Sequence, residues 1–132
     1  MHKTPILFLI FNRPDTTAIV FEAIRKAQPK TLYISADGPR AHKAGEKELC
    51  EAARKVVEKV DWECDVHTKF SEQNQGCKKN VSESITWFFS EVEEGIIFED
   101  DCVPDESFFT FCETLLEKYK NEERVKMISG NN

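Results

Sequence analysis

Apolar and polar positions fall into blocks along this chain, and the period changes from one block to the next. Pro5–Phe11, PILFLIF, is a continuous apolar run, the pattern of a strand buried on both faces of a parallel sheet. NRPDTTAIVFEAIRKAQP follows. It opens on cap-type residues, carries Ala18, Phe21, Ile24 and Ala27 at helical spacing, and stops at Pro29. Thr31–Asp37, TLYISAD, is a second apolar strand that ends in the turn sequence DGPR.

After the polar loop AHKAG, Leu49, Ala52, Ala53, Val56, Val57 and Val60 mark an amphipathic helix. Trp62, Cys64, Val66 and Phe70 alternate, which predicts a partly exposed strand. Beyond the loop SEQNQG, a third helical stripe runs through Val81, Ile85, Phe88, Phe89 and Val92. GIIF is a short buried strand, Phe108, Phe111, Cys112, Leu115 and Tyr119 form a fourth stripe, and Val125–Ser129, VKMIS, is a fifth strand. The order βαβαβαβαβ predicts an α/β fold: three layers, α/β/α, around a mostly parallel sheet of about five strands. There is no internal repeat and no interior linker, so residues 1–132 are expected to form one domain. ISGNN leaves the last strand without a capping element, which predicts that the domain is truncated at its C-terminal end and continues in a longer protein.

Composition narrows the function. The 132 residues are 40% apolar and 32% charged, enough for a real core in an ordinary globular chain. A net charge of −6 argues against a nucleic-acid partner, which needs a basic face. The longest apolar run, Ile6–Phe11, is too short for a transmembrane segment, and NRPD follows it without a cleavage site. Five cysteines, Cys50, Cys64, Cys77, Cys102 and Cys112, include no CxxC pair. Four of them are expected to be small buried residues, and a reducing, cytoplasmic location is the default.

Candidate chemistry collects where open α/β sheets bind ligands, at the carboxyl ends of the strands. The first strand ends in Asn12 and Arg13, and the second in Asp37 and Gly38. The third leads to Asn74, Gly76, Lys78 and Lys79, the fourth to Glu99, Asp100 and Asp101, and the fifth to Asn131 and Asn132. Three adjacent carboxylates need an explanation, because like charges about 4 Å apart repel by roughly 4 kcal/mol at an effective dielectric near 20. Capping the next helix is the bland answer, but Asp105 stands nearer to that helix. Lys78 and Lys79 sit at a helix start, where anions are favoured over cations. The mixture suits a phosphate-bearing ligand bridged by a divalent metal with hard oxygen ligands, Mg²⁺, Mn²⁺ or Ca²⁺. His2, His42 and His67 are scattered and point to no metal site.

PILFLIFNRP, YISADGPR, NQGCKKNV and GIIFEDDCVPDESFFTFCETLL resemble the nucleotide-sugar half of GT-A-fold glycosyltransferases, nearest to the N-acetylglucosaminyltransferase I type. The EDD version of the DxD motif anchors the resemblance, which spans essentially the whole chain. It implies a metal-dependent glycosyltransferase that binds a nucleotide-diphospho-sugar, UDP-sugar favoured, and transfers the sugar to the hydroxyl of a glycan or other acceptor. By the same resemblance Asp101 ligates Mn²⁺ or Mg²⁺, Asp100 lies near ribose and diphosphate, and Glu99 faces the sugar. Arg13, beside Asn12, meets the phosphates or base, Asp37, beside Gly38, accepts from the uracil ring, and Lys78 takes the place of a histidine. The catalytic base of such enzymes lies downstream of the fifth strand, so no base is named. Two alternatives remain: a non-catalytic nucleotide- or sugar-binding fragment, and a receiver-like Mg²⁺-binding signalling module. A receiver, however, has its acidic pair after the first strand, where this chain has Asn12-Arg13.

Overall fold

The structure is a computed structural model that describes residues 3–101, 114, 115, 117, 118, 128 and 129. Its elements run β1 (Ile6–Ile10), α1 (Pro14–Ala27), β2 (Thr31–Ala36), α2 (Glu46–Val57), β3 (Asp65–Phe70), α3 (Cys77–Glu91), β4 (Ile96–Glu99) and the two-residue β5 (Ile128–Ser129). The strands pair in parallel in the order β3-β2-β1-β4-β5. This is a Rossmann-like α/β arrangement, and the strand order reverses at β1, whose neighbours are β2 and β4. Most of the predicted fourth helical stripe, including Phe108, Phe111, Cys112 and Tyr119, lies outside the described residues. So do Asp105, Asn131 and Asn132.

Every residue of β1 is buried, as its unbroken apolar run predicts. Its side chains alternate between two cores. Ile6, Phe8 and Ile10 pack with Val20, Phe21 and Ile24 of α1 and Ala53 and Val57 of α2. Leu7 and Leu9 pack on the other face with Tyr33, Ile97 and Phe88 of α3. Helices therefore cover both faces, α1 and α2 on one and α3 on the other. Burying a side chain of this size is worth about 1.5–3 kcal/mol, so β1 alone anchors both layers.

The helical stripes differ from expectation in two places. Ala18 is exposed, and Thr17 and Val20 are buried in its stead, because the face of α1 turned to the sheet is centred on Val20, Phe21 and Ile24. Leu49 is 46% exposed, while Glu46 and Cys50 take the inward positions of α2. The expectation of four buried cysteines is met in part by the three that are described. Cys50 is buried, Cys64 is half-buried and Cys77 is exposed in the first turn of α3, where the helix begins at the surface. Cys102 and Cys112 lie outside the described residues. Strand β3 lies at the edge of the sheet and is more exposed than its alternation predicts: Asp65–Thr68 are all open to solvent, Val66 included, and only Lys69 and Phe70 are half-buried.

Candidate functional site

A cleft of about 460 Å³ opens at the carboxyl ends of β1 and β4. It is lined by Asn12 and Arg13 after β1, Asp37 and Arg40 after β2, Asn74, Gly76, Cys77 and Asn80 at the entry to α3, and Glu99, Asp100 and Asp101 after β4. The parallel register puts Ile10 beside Ala36 and Leu9 beside Glu99, so all three strand ends come out on one rim. Crevices of doubly wound sheets bind ligands where the strand order reverses. Of the expected site residues, Asn12, Arg13, Asp37, Glu99, Asp100 and Asp101 meet there. Lys78 is exposed on α3, and neither Lys78 nor Gly38 lines the cleft.

Asp37 is 4% exposed and knits the rim together. Its Oδ1 accepts from the backbone N–H of Gly38 at 2.8 Å and of Gln75 at 2.9 Å, and its Oδ2 accepts from the Asn74 amide at 3.2 Å. Asn74 also donates to the Gly38 carbonyl at 2.9 Å. A Cβ on Gly38 would lie 2.5 Å from the Gln73 carbonyl carbon, so only glycine lets the two loops come this close. Arg54 of α2 completes the join. It donates to the carbonyls of Asp37 at 3.2 Å and Ser71 at 2.7 Å and lies over the Phe70 ring.

Glu46 does not line the cleft but holds two residues that do, Asn12 and Arg40, and sequence reasoning missed it. It is 2% exposed and accepts from the Arg40 backbone N–H at 2.8 Å, from Arg40 Nε at 2.9 Å and Nη2 at 2.6 Å, and from the Asn12 amide at 3.1 Å. The side-chain bonds from Arg40, then its backbone N–H, outweigh desolvation and hold the carboxyl at about 2. Arg40 reaches this position across the Phe11 ring, 5.9 Å from its centroid. Asn12 is thus positioned by a buried carboxylate. A glutamate in the first turn of a helix ordinarily reads as a helix-start acid, and nothing in the sequence tells that it turns inward.

At the other wall, Arg13 Nη1 stands 3.8 Å from Asp101 Oδ2. Burial pushes the Asp100 carboxyl up, and the neighbouring charge of Asp101 adds to the rise, while Arg13 opposes it. The triplet therefore carries the repulsion that its sequence implies. Among the described residues no group of three or more His, Cys, Asp or Glu is arranged to hold a metal ion. The donors at Asp101 and Asp100 are nonetheless hard carboxylate oxygens. One or two such carboxylates suffice for Mg²⁺ when ligand phosphates and water complete the shell, so the residues fit a cation shared with a phosphate ligand.

No family model matches this chain, and none of the curated proteins does. Among solved structures it is similar to a hypothetical protein from Sulfolobus tokodaii, with 15% sequence identity, a TM-score of 0.43, and coverage of 96% of this chain and 94% of that one. A likeness of this size says nothing about chemistry. No helix among the described residues is long and apolar enough to cross a membrane.

Proposed function

We propose that the cleft is the donor site of a metal-dependent glycosyltransferase of the GT-A type, taking a nucleotide-diphospho-sugar. One observation supports this reading most: Arg13 and the Glu99-Asp100-Asp101 triplet face one another across a single cleft at the point where the strand order reverses. Glycosyl transfer breaks the bond between an anomeric carbon and a diphosphate, and the leaving group gains negative charge. Arg13 would stabilise that charge where it develops. Asp101, with Asp100 beside it, would hold Mn²⁺ or Mg²⁺, and the cation would supply further charge neutralisation to the diphosphate. Asp37 and Asn12 are held rigidly at the β2 and β1 ends, which suits positioning of the nucleoside.

The strand order favours this reading over a receiver-like module. Receiver-type sheets run 2-1-3-4-5, whereas here β1 lies between β2 and β4 and β3 is at the edge. The test is a thermal-shift series on the purified chain with UDP, GDP, CDP and ADP, each with Mn²⁺ and with EDTA. Stabilisation of about 2.7 kcal/mol is expected at a hundredfold excess over the dissociation constant, dependent on the metal and lost in Asp101→Ala. A folded sample that shows no metal-dependent shift with any nucleotide overturns the proposal.

A further inference from the structure

Strand β3 forms one edge of the sheet, and its register with β2 runs unbroken from Asp65 to Phe70. Bulges and prolines commonly blunt such edges, and DVHTKF has neither. The Asp65 N–H donates to the Lys30 carbonyl at 2.9 Å, and the Ser71 N–H to the Ala36 carbonyl at 3.0 Å. The odd-numbered residues therefore turn their backbone groups to β2, and Val66, Thr68 and Phe70 turn theirs outward. Strand β4 ends at Glu99 and β5 begins at Ile128, both beyond β1, so the chain between them starts and finishes away from this edge.

The side chains of this edge complement themselves. Asp65, His67 and Lys69 share the face that α3 covers. There His67 stacks on Tyr33 with ring centroids 4.5 Å apart, and Lys69 Nζ stands 3.9 Å from Glu83 Oε2. Val66 and Thr68 share the other face, and Val66 is 41% exposed. We propose that β3 pairs antiparallel with β3 of a second copy of this chain, about a two-fold axis at His67. In that register Val66 faces Thr68 of the second copy, and the two exchange both of their outward backbone hydrogen bonds. Asp65 comes opposite Lys69 of the second copy, in the position where cross-strand side chains approach most closely, and the two-fold axis repeats this opposite-charge pair. Val66 gains a β-branched neighbour across the axis. The adjoining registers fit less well. One sets Asp65 opposite Ser71, and the other sets Lys69 opposite Glu63, which lies in a bend outside β3. No residue of β3 lines the cleft, so the pairing does not depend on the donor-site reading.

Sedimentation velocity on the full chain tests it. Wild type should show a concentration-dependent dimer between about 10 μM and about 500 μM, the range of a small polar interface. Thr68→Pro removes an N–H that faces outward and leaves the bonds to β2 in place. It should abolish the dimer while circular dichroism and the melting temperature of the dilute protein stay level. Asp65→Lys sets like charges opposite one another and should raise the dissociation constant at least about tenfold. Adding Lys69→Asp restores the pair with its signs exchanged. The double variant should recover part of that loss, short of all of it because Glu83 stands beside position 69. Should Thr68→Pro not fold, the charge exchange decides. A wild type that stays monomeric throughout, which would leave the edge to some other chain or to solvent, overturns the proposal. So does a dimer that persists in Thr68→Pro, or a double variant that associates no more tightly than Asp65→Lys alone.

Discussion

Arg13 Nη1 and Asp101 Oδ2 stand 3.8 Å apart across the mouth of the cleft, with side chains 61% and 49% exposed. An ion pair so open to water contributes no more than about 1 kcal/mol. Arg13→Ala and Asp101→Ala should each lower the unfolding free energy read from urea melts by less than that amount, and both variants should lose the metal-dependent response to nucleotide. A loss of several kcal/mol in either variant would show that the pair holds the fold rather than serving a ligand.

Asp100 carries the penalty of the triplet. Its carboxyl is pushed up by burial and by Asp101, so its ionised form is disfavoured in the folded chain. Asp100→Asn removes that charge at nearly constant shape. At neutral pH it should stabilise the ligand-free protein, by no more than about 1 kcal/mol once solvent screening is allowed for. The same variant should bind UDP with Mn²⁺ less well. Chemical denaturation and nucleotide titration on one preparation check both signs.

Glu46 behaves in the opposite way. Its folded-state value of about 2 lies below the ordinary 4.5. Its ionised form therefore adds stability that is fully present above about 4.5 and fades as the pH falls towards 2. The difference in urea midpoint between wild type and Glu46→Gln should be widest above that upper value and close progressively below it. A difference constant across this window would mean that Arg40 does not hold the carboxylate in solution.

The approach of the β2 and β3 loops depends on Gly38. Ala at this position would put its Cβ 2.5 Å from the Gln73 backbone, and backbone cannot swing away as a flexible side chain does. Gly38→Ala should cost about 1–3 kcal/mol, the usual range for overpacking. It should also loosen the Asp37–Gln75 bond, visible as faster amide exchange at Gln75.

Much of the layering was legible before folding. The unbroken run Pro5–Phe11 read as a strand covered on both faces, and the stripe at Ala18, Phe21, Ile24 and Ala27 as a helix after it. Alternation through Trp62, Cys64, Val66 and Phe70 marked a partly exposed strand, and the edge position of β3 then left Val66 open as well. Ala18 and Leu49 were misplaced because apolar residues at helical spacing define a face only to within one position, and the neighbouring layer then selects among them. Thr17 fits under α1 because it is small, and Glu46 turns inward only because Arg40 and Asn12 meet it there.

The sequence by itself determined the alternation of strands and helices and the chemical character of each strand end, because burial period and turn chemistry are local. It also carried the carboxylate repulsion of residues 99–101, which needs no partner to exist. Only the tertiary structure decided that β4 pairs with β1, and hence that Arg13 faces Asp101 across one cleft. It alone left Lys78 off the wall and put Asn80, a residue that reads as a plain helix position, into it. Those outcomes depend on strand order and on which polar groups find partners after packing, and neither is written in any stretch of neighbouring residues.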